Sequence, residues 1–355
     1  MSEIVPSGFA PEVISKIKEI VDQKRKNVAI AVNNELLSSY WQIGELIAEQ
    51  STEMTDKSAR SFILSLSRVL TDEIGRGFSR SNLFNMRNFY LNYPDVQTVS
   101  GQLSWSHYCE LIAVSDIDAR NFYERECLNS RWSVRELSRQ IDTALYQRLL
   151  LSDEGITRQK LTSLSREGHV IEKPDDIIKD PYVLEFLGLH GHKVKKERGL
   201  ERKLLEHIEE FLLELGRGFM FVGSQQRVTI NNVHYTVDMV FYNKLLKAYV
   251  LIDLKIGKMK LESGGQMNGY VNYYKTEVNA PDDNPPIGII LCADKDAIMA
   301  EYALGGLENH IFASKYTLLL PDKEQLIKQV EYVLAQAEDA DENGEESQDG
   351  QDGHQ

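Results

Sequence analysis

Asp238, Asp253 and Lys255 have the residue types and spacing to hold a hard cation beside a positive charge. They lie in Tyr235–Gly257, YTVDMVFYNKLLKAYVLIDLKIG, which reads as two strands joined by a short turn. Side chains alternate along a strand, so Thr236, Asp238, Val240 and Tyr242 share one face of the first strand. On the second, Tyr249, Leu251, Asp253 and Lys255 share a face. A turn centred between Leu245 and Leu246 sets Asn243 against Ala248, and counting back sets Asp238 opposite Asp253. Directly opposed side chains have Cβ atoms about 4.5–5.5 Å apart. Two carboxylates that close repel unless something positive lies between them, and a hard divalent cation with oxygen ligands is the natural occupant. Leu245-Leu246 is not a favoured turn pair, so a register slipped by one residue stays open.

The elements around these residues explain how they would be held. Val237, Met239, Val240, Phe241, Val250, Leu251, Ile252, Leu254 and Ile256 make the hairpin apolar on both faces, the pattern of an internal pair of strands. Carboxylates there are costly unless paired or bound to metal. The plain alternative, solvated acids on an ordinary strand, fits that setting poorly. Helical spacing continues through Leu200–Leu215, Gly264–Asn279, Asp294–Leu304 and Lys323–Ala337, and strands are expected at Phe219–Ile230, Ile287–Cys292 and Tyr316–Leu320. This order predicts a mixed sheet covered by helices.

The amino-terminal half reads as all helix. Residues 11–50 carry a long apolar stripe, and Asp56–Ile74 follows as a second helix stopped by Gly75-Arg-Gly77. Ser79 is the expected N-cap of Arg80–Leu91. Helix, glycine turn, helix is the outline of a helix-turn-helix. Its second helix carries Arg80, Asn82, Asn85 and Arg87, side chains suited to phosphates and base edges, although an amphipathic helix with a solvated polar face fits equally well. Ser133 and Glu136 form a capping box farther on. Residues 1–165 are expected as this helical domain, 166–198 as a linker, 199–337 as the sheet domain and 338–355 as a disordered acidic tail. His190 and His192 fall in the linker with no partner ligands nearby.

The chain has 355 residues and a net charge of −14, which argues against a nucleic-acid partner until the distribution is considered. The tail accounts for eight of those charges and leaves −6 for the rest. No apolar run is long enough for a bilayer, and the start MSEIVPSGFAPEV lacks the pattern of a signal peptide. Cys109, Cys127 and Cys292 are dispersed and odd in number, which predicts reduced thiols in a cytoplasm.

The order of elements, with Asp238 on the second strand and Asp253-Leu254-Lys255 on the third, resembles the PD-(D/E)XK nuclease superfamily. The longer stretches RGFSRSNLFNMRNFY, LSWSHYCELIAVSDIDARNFY, WSVRELSRQI, IKDPYVLEFLGL, FLLELGRGFMFVGSQQRV, GGQMNGYVNYY and IGIILCADKD resemble the YhcG-like nuclease family. They cover most of the chain from about Arg76 to Leu320. The resemblance implies a restriction-endonuclease-like α/β domain behind a helical domain, an α+β chain overall. It implies a Mg²⁺- or Mn²⁺-dependent endonuclease acting on DNA, with RNA left open. A cut through both strands of a duplex would call for a homodimer, although the sequence shows no dimer interface. Asp238 and Asp253 match the metal-binding acids, Lys255 the catalytic lysine, and the Leu254 carbonyl a further metal ligand. Glu201 matches the acid of the first core helix, Gln225 a glutamine of the first strand, and Gln266 and Tyr270 a pair on the helix after the motif. The proline that often precedes the first acid is Val237 here.

Phosphodiester hydrolysis needs an in-line water, neutralisation of developing charge and help for the leaving oxygen. Metal ions between the acids would polarise the phosphate and acidify bound water. Lys255 would orient that water and oppose the negative charge. Gln266 and Tyr270, four residues apart, share a helical face and are expected to touch phosphate or hold Lys255, or simply to support packing. Glu201 has a plain alternative as a solvated first-turn acid. A catalytically idle nuclease fold used for binding or assembly is the competing reading of the whole chain.

Overall fold

The computed structural model describes residues 11–151, 158–189, 197–294, 297–307 and 310–333. The chain packs as two compact units, Met1–Arg120 and Asn121–Gln355. The first contains α1 (Pro11–Ser51), α2 (Asp56–Glu73), α3 (Arg80–Asn92) and α4 (Trp105–Leu111). The long helix runs unbroken. Ile47, Ile63, Leu83 and Met86 form the core where α1, α2 and α3 meet. α3 lies tight on α1 at Gly44, where a Cβ would stand 2.0 Å from the Met86 carbonyl oxygen. Ser79 caps α3 as its sequence predicts, accepting the Asn82 N–H at 3.3 Å.

The second unit opens with α5 (Ile117–Ser130), which starts in the last residues of the first, then α6 (Val134–Asp142), α7 (Leu145–Leu151) and α8 (Arg158–Glu167). Next come β1 (Tyr182–Val183), α9 (Glu197–Glu206), α10 (Ile208–Leu215), β2 (Phe219–Ile230), β3 (Val233–Asn243) and β4 (Ala248–Lys258). α11 (Leu261–Tyr273), β5 (Ile287–Asp294), α12 (Ala297–Leu304) and β6 (Ile311–Thr317) complete the sheet unit, and residues 323–333 are helical. The sheet order is β1-β6-β5-β4-β3-β2. β2, β3 and β4 are antiparallel, and β4, β5, β6 and β1 are parallel. The chain is therefore α+β: an all-helical amino-terminal region and a mixed sheet behind it.

Both faces of the sheet are apolar, as the hairpin sequence predicts. On one, Met239, Phe241, Val250 and Ile252 pack with Leu200, Leu204 and Phe211 of α9 and α10. On the other, Val240, Leu251 and Ile290 pack with Met267, Tyr270 and Val271 of α11.

Several boundaries differ from the sequence reading, each for a physical reason. The stretch 166–198, read as linker, supplies β1, whose Tyr182 and Val183 pair with Tyr316 and Thr317. The helices after residue 120, read with the helical domain, are tied to α10. Arg148 pairs with Glu214 at 2.7 Å and Arg139 with the same acid at 3.2 Å, inside the second unit. The helix read as Leu200–Leu215 is interrupted at His207, whose backbone leaves helical geometry (φ −120°, ψ 39°). β6 takes Ile311–Thr317 rather than Tyr316–Leu320, because its register with β5 buries Ile311 and Ala313 and leaves Leu319 and Leu320 exposed. His190, His192 and the acidic tail lie outside the described residues.

Candidate active site

The β3–β4 ladder fixes the acids. It pairs Asn243 with Ala248 and runs back to Met239 opposite Ile252, the register expected from the sequence. Asn243 makes the Leu-Leu turn workable: its Oδ1 accepts the N–H groups of Leu245 (3.0 Å) and Leu246 (3.2 Å), a side chain standing in for a turn carbonyl. Asp238 and Asp253 are the next residues along. There the ladder ends, and the Leu254 N–H donates to Asp238 Oδ2 at 2.8 Å. The first acid is thus bonded to the backbone just past the second.

Asp253 is only 4% exposed. Its carboxylate meets Lys255 Nζ at 2.6 Å, as two same-face residues on a strand permit when one side chain is long. Burial pushes the Asp253 carboxyl up to about 6, with Asp238 and Glu197 adding to the rise and Lys255 opposing it. For Lys255, burial favours the neutral amine. The charge and hydrogen bond of Asp253, with Glu197 and Asp238, outweigh it and raise its pKa above the ordinary value. Lys255 is therefore a cation at neutral pH.

Gln225 joins the acids on two elements. Its Nε2 donates to Glu201 Oε2 at 2.8 Å and to Asp238 Oδ1 at 3.2 Å. It adopts φ 48° just past an irregularity in the β2 ladder, a conformation uncommon outside glycine. Glu201 is buried on α9, and burial raises its pKa, Gln225 and Arg198 countering and Asp238 adding. Glu197, one helical turn before Glu201, is a further acid of the cluster that the sequence reading missed. The four-residue spacing was the available signal.

Gln266 and Tyr270 meet as their spacing predicts, and they serve the backbone. Gln266 Nε2 donates to the Tyr270 hydroxyl, which donates to the Thr236 carbonyl at 3.0 Å. α11 is thereby clipped to β3 two residues before Asp238. Tyr270 is buried, and burial raises its hydroxyl pKa.

The α3 residues show a different use of polarity. Asn82 donates to the Gly77 carbonyl at 2.6 Å and accepts from Trp105 Nε1 at 2.7 Å. Asn85 donates to Cys109 Sγ and Arg87 to Ser51 Oγ at 3.1 Å. These three tie α3 to its own unit. Arg80 is exposed, its guanidinium over the Phe84 ring.

Among the described residues, no three His, Cys, Asp or Glu side chains already stand at ligand spacing. Gln225, Leu254 and Lys255 occupy the acids instead. The donors still suit a hard divalent cation: two strand carboxylates, a helix carboxylate and strand carbonyls are all oxygen. Asp253 is also a buried acid whose lysine partner leaves its charge under-compensated, and a cation would complete it. A cavity of about 340 Å³ elsewhere in the unit, lined by Trp132, Gln140 and Lys179 among others, shares no residue with this cluster.

Comparison with known proteins identifies the family. The YhcG PDDEXK nuclease domain matches residues 175–331, and the DUF1016 N-terminal domain matches residues 16–148. "Putative nuclease YhcG" of Escherichia coli (strain K12) is 38% identical over 361 residues, spanning 92% of this chain and 94% of that protein. Among solved structures, a repair endonuclease from Pyrococcus abyssi is 19% identical with a TM-score of 0.26, covering 36% of this chain and 48% of its own. On this sequence identity and coverage, the chain belongs to the YhcG family and carries its PDDEXK nuclease domain.

Proposed function

We propose that this protein is a divalent-metal-dependent endonuclease that hydrolyses phosphodiester bonds of DNA in the cytoplasm. The observation that carries the reading is the buried Asp253, paired with half-buried Lys255, beside Asp238 at the point where β3 and β4 stop pairing. Asp238, Asp253, Glu201 and the Leu254 carbonyl are the residues that would hold the metal. When bound, Mg²⁺ or Mn²⁺ would supply a Lewis acid for the phosphate and a more acidic water.

The chain's own residues do the rest. Water attacks phosphorus in line with the leaving sugar oxygen; a new O–P bond forms, the old one breaks, the water proton leaves and the sugar oxygen gains one. Lys255, held protonated, acts as a positive group rather than a base, opposing charge on the phosphoryl oxygens and orienting the water. Gln225 keeps Glu201 and Asp238 together through one amide. Gln266 and Tyr270 are positioning residues that fix β3. The helical unit is assigned to holding nucleic acid, with Arg80 as its exposed α3 contact.

The test is nicking of supercoiled plasmid by purified protein in Mg²⁺, Mn²⁺ and EDTA, beside Lys255→Ala and a single-stranded RNA substrate. Metal-dependent cutting of DNA that disappears in Lys255→Ala is expected. Equal cutting by Lys255→Ala would refute the site, preference for RNA would refute the substrate, and no cutting of either would favour the idle-fold reading.

A further inference from the structure

Residues of α5, α6, α10 and the β3–β4 turn line the cavity of about 340 Å³ in the second unit. That is the lower end of the roughly 300–1,000 Å³ typical of small-molecule sites. The cavity lies at the turn end of the β3–β4 hairpin, and about 17 Å of β3, from Asn243 back to Asp238, separates it from the acids. Its walls gather positive charge in a chain of net charge −14. Lys179, Arg217 and Lys244 stand there against one acid among the described residues, Glu126, whose Oε1 already accepts the His169 N–H at 2.7 Å. Arg217 is held by a built turn. Gly216 and Gly218 on either side of it take φ 109° and 83°, a backbone that glycine adopts freely and other residues do not. Buried Asn243 donates to the Arg217 carbonyl at 3.1 Å, and the Lys244 N–H donates to the Gly218 carbonyl at 3.0 Å. The guanidinium itself, half-buried, has no hydrogen bond or ion pair among the described residues.

We propose that this cavity binds a mononucleotide, with its phosphate on Arg217, Lys244 and Lys179 and its base against Trp132. The three cations stand at different depths: Lys244 is exposed, Arg217 half-buried and Lys179 only 3% exposed. Lys179 donates to the Glu214 carbonyl, and its Nζ lies 3.7 Å from the place a Gly216 Cβ would take, beside the turn that carries Arg217. Burial pulls the Lys179 pKa down to about 8, Glu214 opposing the fall and Arg148 and Arg139 deepening it, so a nearby anion would stabilise its charge. A guanidinium fork and two ammonium groups suit the several oxygens and the double charge of a phosphate monoester. Half-buried Trp132 offers the flat ring on which a nucleobase stacks. Gln140, also on the wall, is 1% exposed, and its Oε1 has no hydrogen-bond partner among the described residues. A buried acceptor left unpaired is costly, and the amino or ring N–H hydrogens of a base would satisfy it. Bare phosphate would answer the cations and leave Trp132 and Gln140 unused.

Calorimetric titration of the full chain in EDTA tests the site, using the 5′-monophosphates of adenosine, guanosine, cytidine and uridine, their nucleosides, and inorganic phosphate. EDTA keeps metal off the acids, and binding is read without cleavage, so the result does not depend on the nuclease reading. At least one nucleotide is expected to bind at a single site, more tightly than its nucleoside or phosphate. Arg217→Met and Lys244→Met should each weaken it about tenfold, the loss expected of a hydrogen bond to a charged group, with unchanged circular dichroism. Lys244 is exposed, so its variant tests the site even where Arg217→Met disturbs the turn. Trp132→Phe should remove the change in tryptophan fluorescence that accompanies binding, and Asp253→Asn should leave the affinity as it is. Failure of every nucleotide to bind at millimolar concentration would overturn the proposal. Phosphate bound as tightly as the nucleotide would reduce the site to an adventitious ion only, and a nucleoside bound as tightly would refute the phosphate contacts. Affinity indifferent to both Met variants, or lost in Asp253→Asn, would place the nucleotide elsewhere.

Discussion

The Asp238 carboxylate accepts the Leu254 N–H at 2.8 Å, so one acid serves both the site and the backbone. Leu254 is fully buried, and its N–H at the end of the β3–β4 ladder takes this side-chain acceptor. Removing the acceptor leaves a buried donor unsatisfied, which costs about 1–3 kcal/mol. Asp238→Ala is therefore expected to lower the urea midpoint by that equivalent. Asp238→Asn keeps an acceptor and should stay within about 1 kcal/mol of the parent, because most of the hydrogen bond survives. Both should lose cleavage. Equal stability of the two variants would mean that the Leu254 contact contributes nothing.

Lys255→Met separates the charge role of the lysine from its catalytic role. Without Lys255, the Asp253 carboxylate is buried with no cation, and destabilisation of about 1–3 kcal/mol is expected at pH 8. The sign with pH follows from the raised pKa. Asp253 already gains a proton near pH 6, above its unfolded value, and loss of Lys255 raises that point further. The penalty is present while the acid is ionised and disappears as pH falls through the raised pKa. Thermal unfolding of parent and variant should therefore converge near pH 5. A gap independent of pH would show that lost packing, not lost charge, sets the difference.

Much of the site was legible because strand geometry is periodic. Alternation put Asp253 and Lys255 on one face, and the count through Asn243 and Ala248 gave the observed register. The turn itself was not legible as such, because Leu245-Leu246 has no turn chemistry and Asn243 supplies it from outside the central pair. The hydrogen-bond partners of the polar residues on α3 were not legible for a related reason. Spacing marks Asn82, Asn85 and Arg87 as a polar face, but only the packed helices reveal that Gly77, Trp105, Cys109 and Ser51 take their hydrogen bonds. The missed strand β1 is two residues long, too short for any period to register.

Gln225 is expected to act as a positioning residue whose loss weakens the site without emptying it. Its amide bridges Glu201 and Asp238 from a strained backbone position. Groups that orient metal-binding side chains are worth about 10–100-fold in affinity or activity. Gln225→Ala should therefore need a higher Mg²⁺ concentration for half-maximal cleavage, with the maximal rate less affected. A fall in maximal rate at unchanged metal requirement would instead make Gln225 a substrate contact.

Arg148 should matter to the fold and not to the chemistry. It is fully buried and pairs with Glu214, itself fully buried, at 2.7 Å. Burial raises the Glu214 carboxyl, but Arg148, Lys179 and Arg139 outweigh it and hold its pKa down at about 2. Breaking such a pair from one side costs about 3–5 kcal/mol, because the remaining charge is stranded. Arg148→Met should lower the melting temperature strongly, while any folded fraction keeps the parent's cleavage rate per molecule. Loss of rate in fully folded Arg148→Met would tie this network to the active site.

Metal binding should be visible without any cleavage. A ligand that binds only the folded chain stabilises it by about 2.7 kcal/mol at a hundred times its dissociation constant. Mg²⁺ should therefore raise the melting temperature of the parent at pH 8, and Asp253→Asn should abolish that rise. The same substitution should make the metal-free protein more stable at pH 8, since the native chain holds the buried Asp253 charge at a cost that an amide avoids. Protons compete with the cation once pH falls through about 6, so the Mg²⁺ effect should shrink there in the parent. A Mg²⁺ shift that persists in Asp253→Asn would assign the metal to other residues, and a shift that grows at low pH would contradict the carboxylate as its ligand.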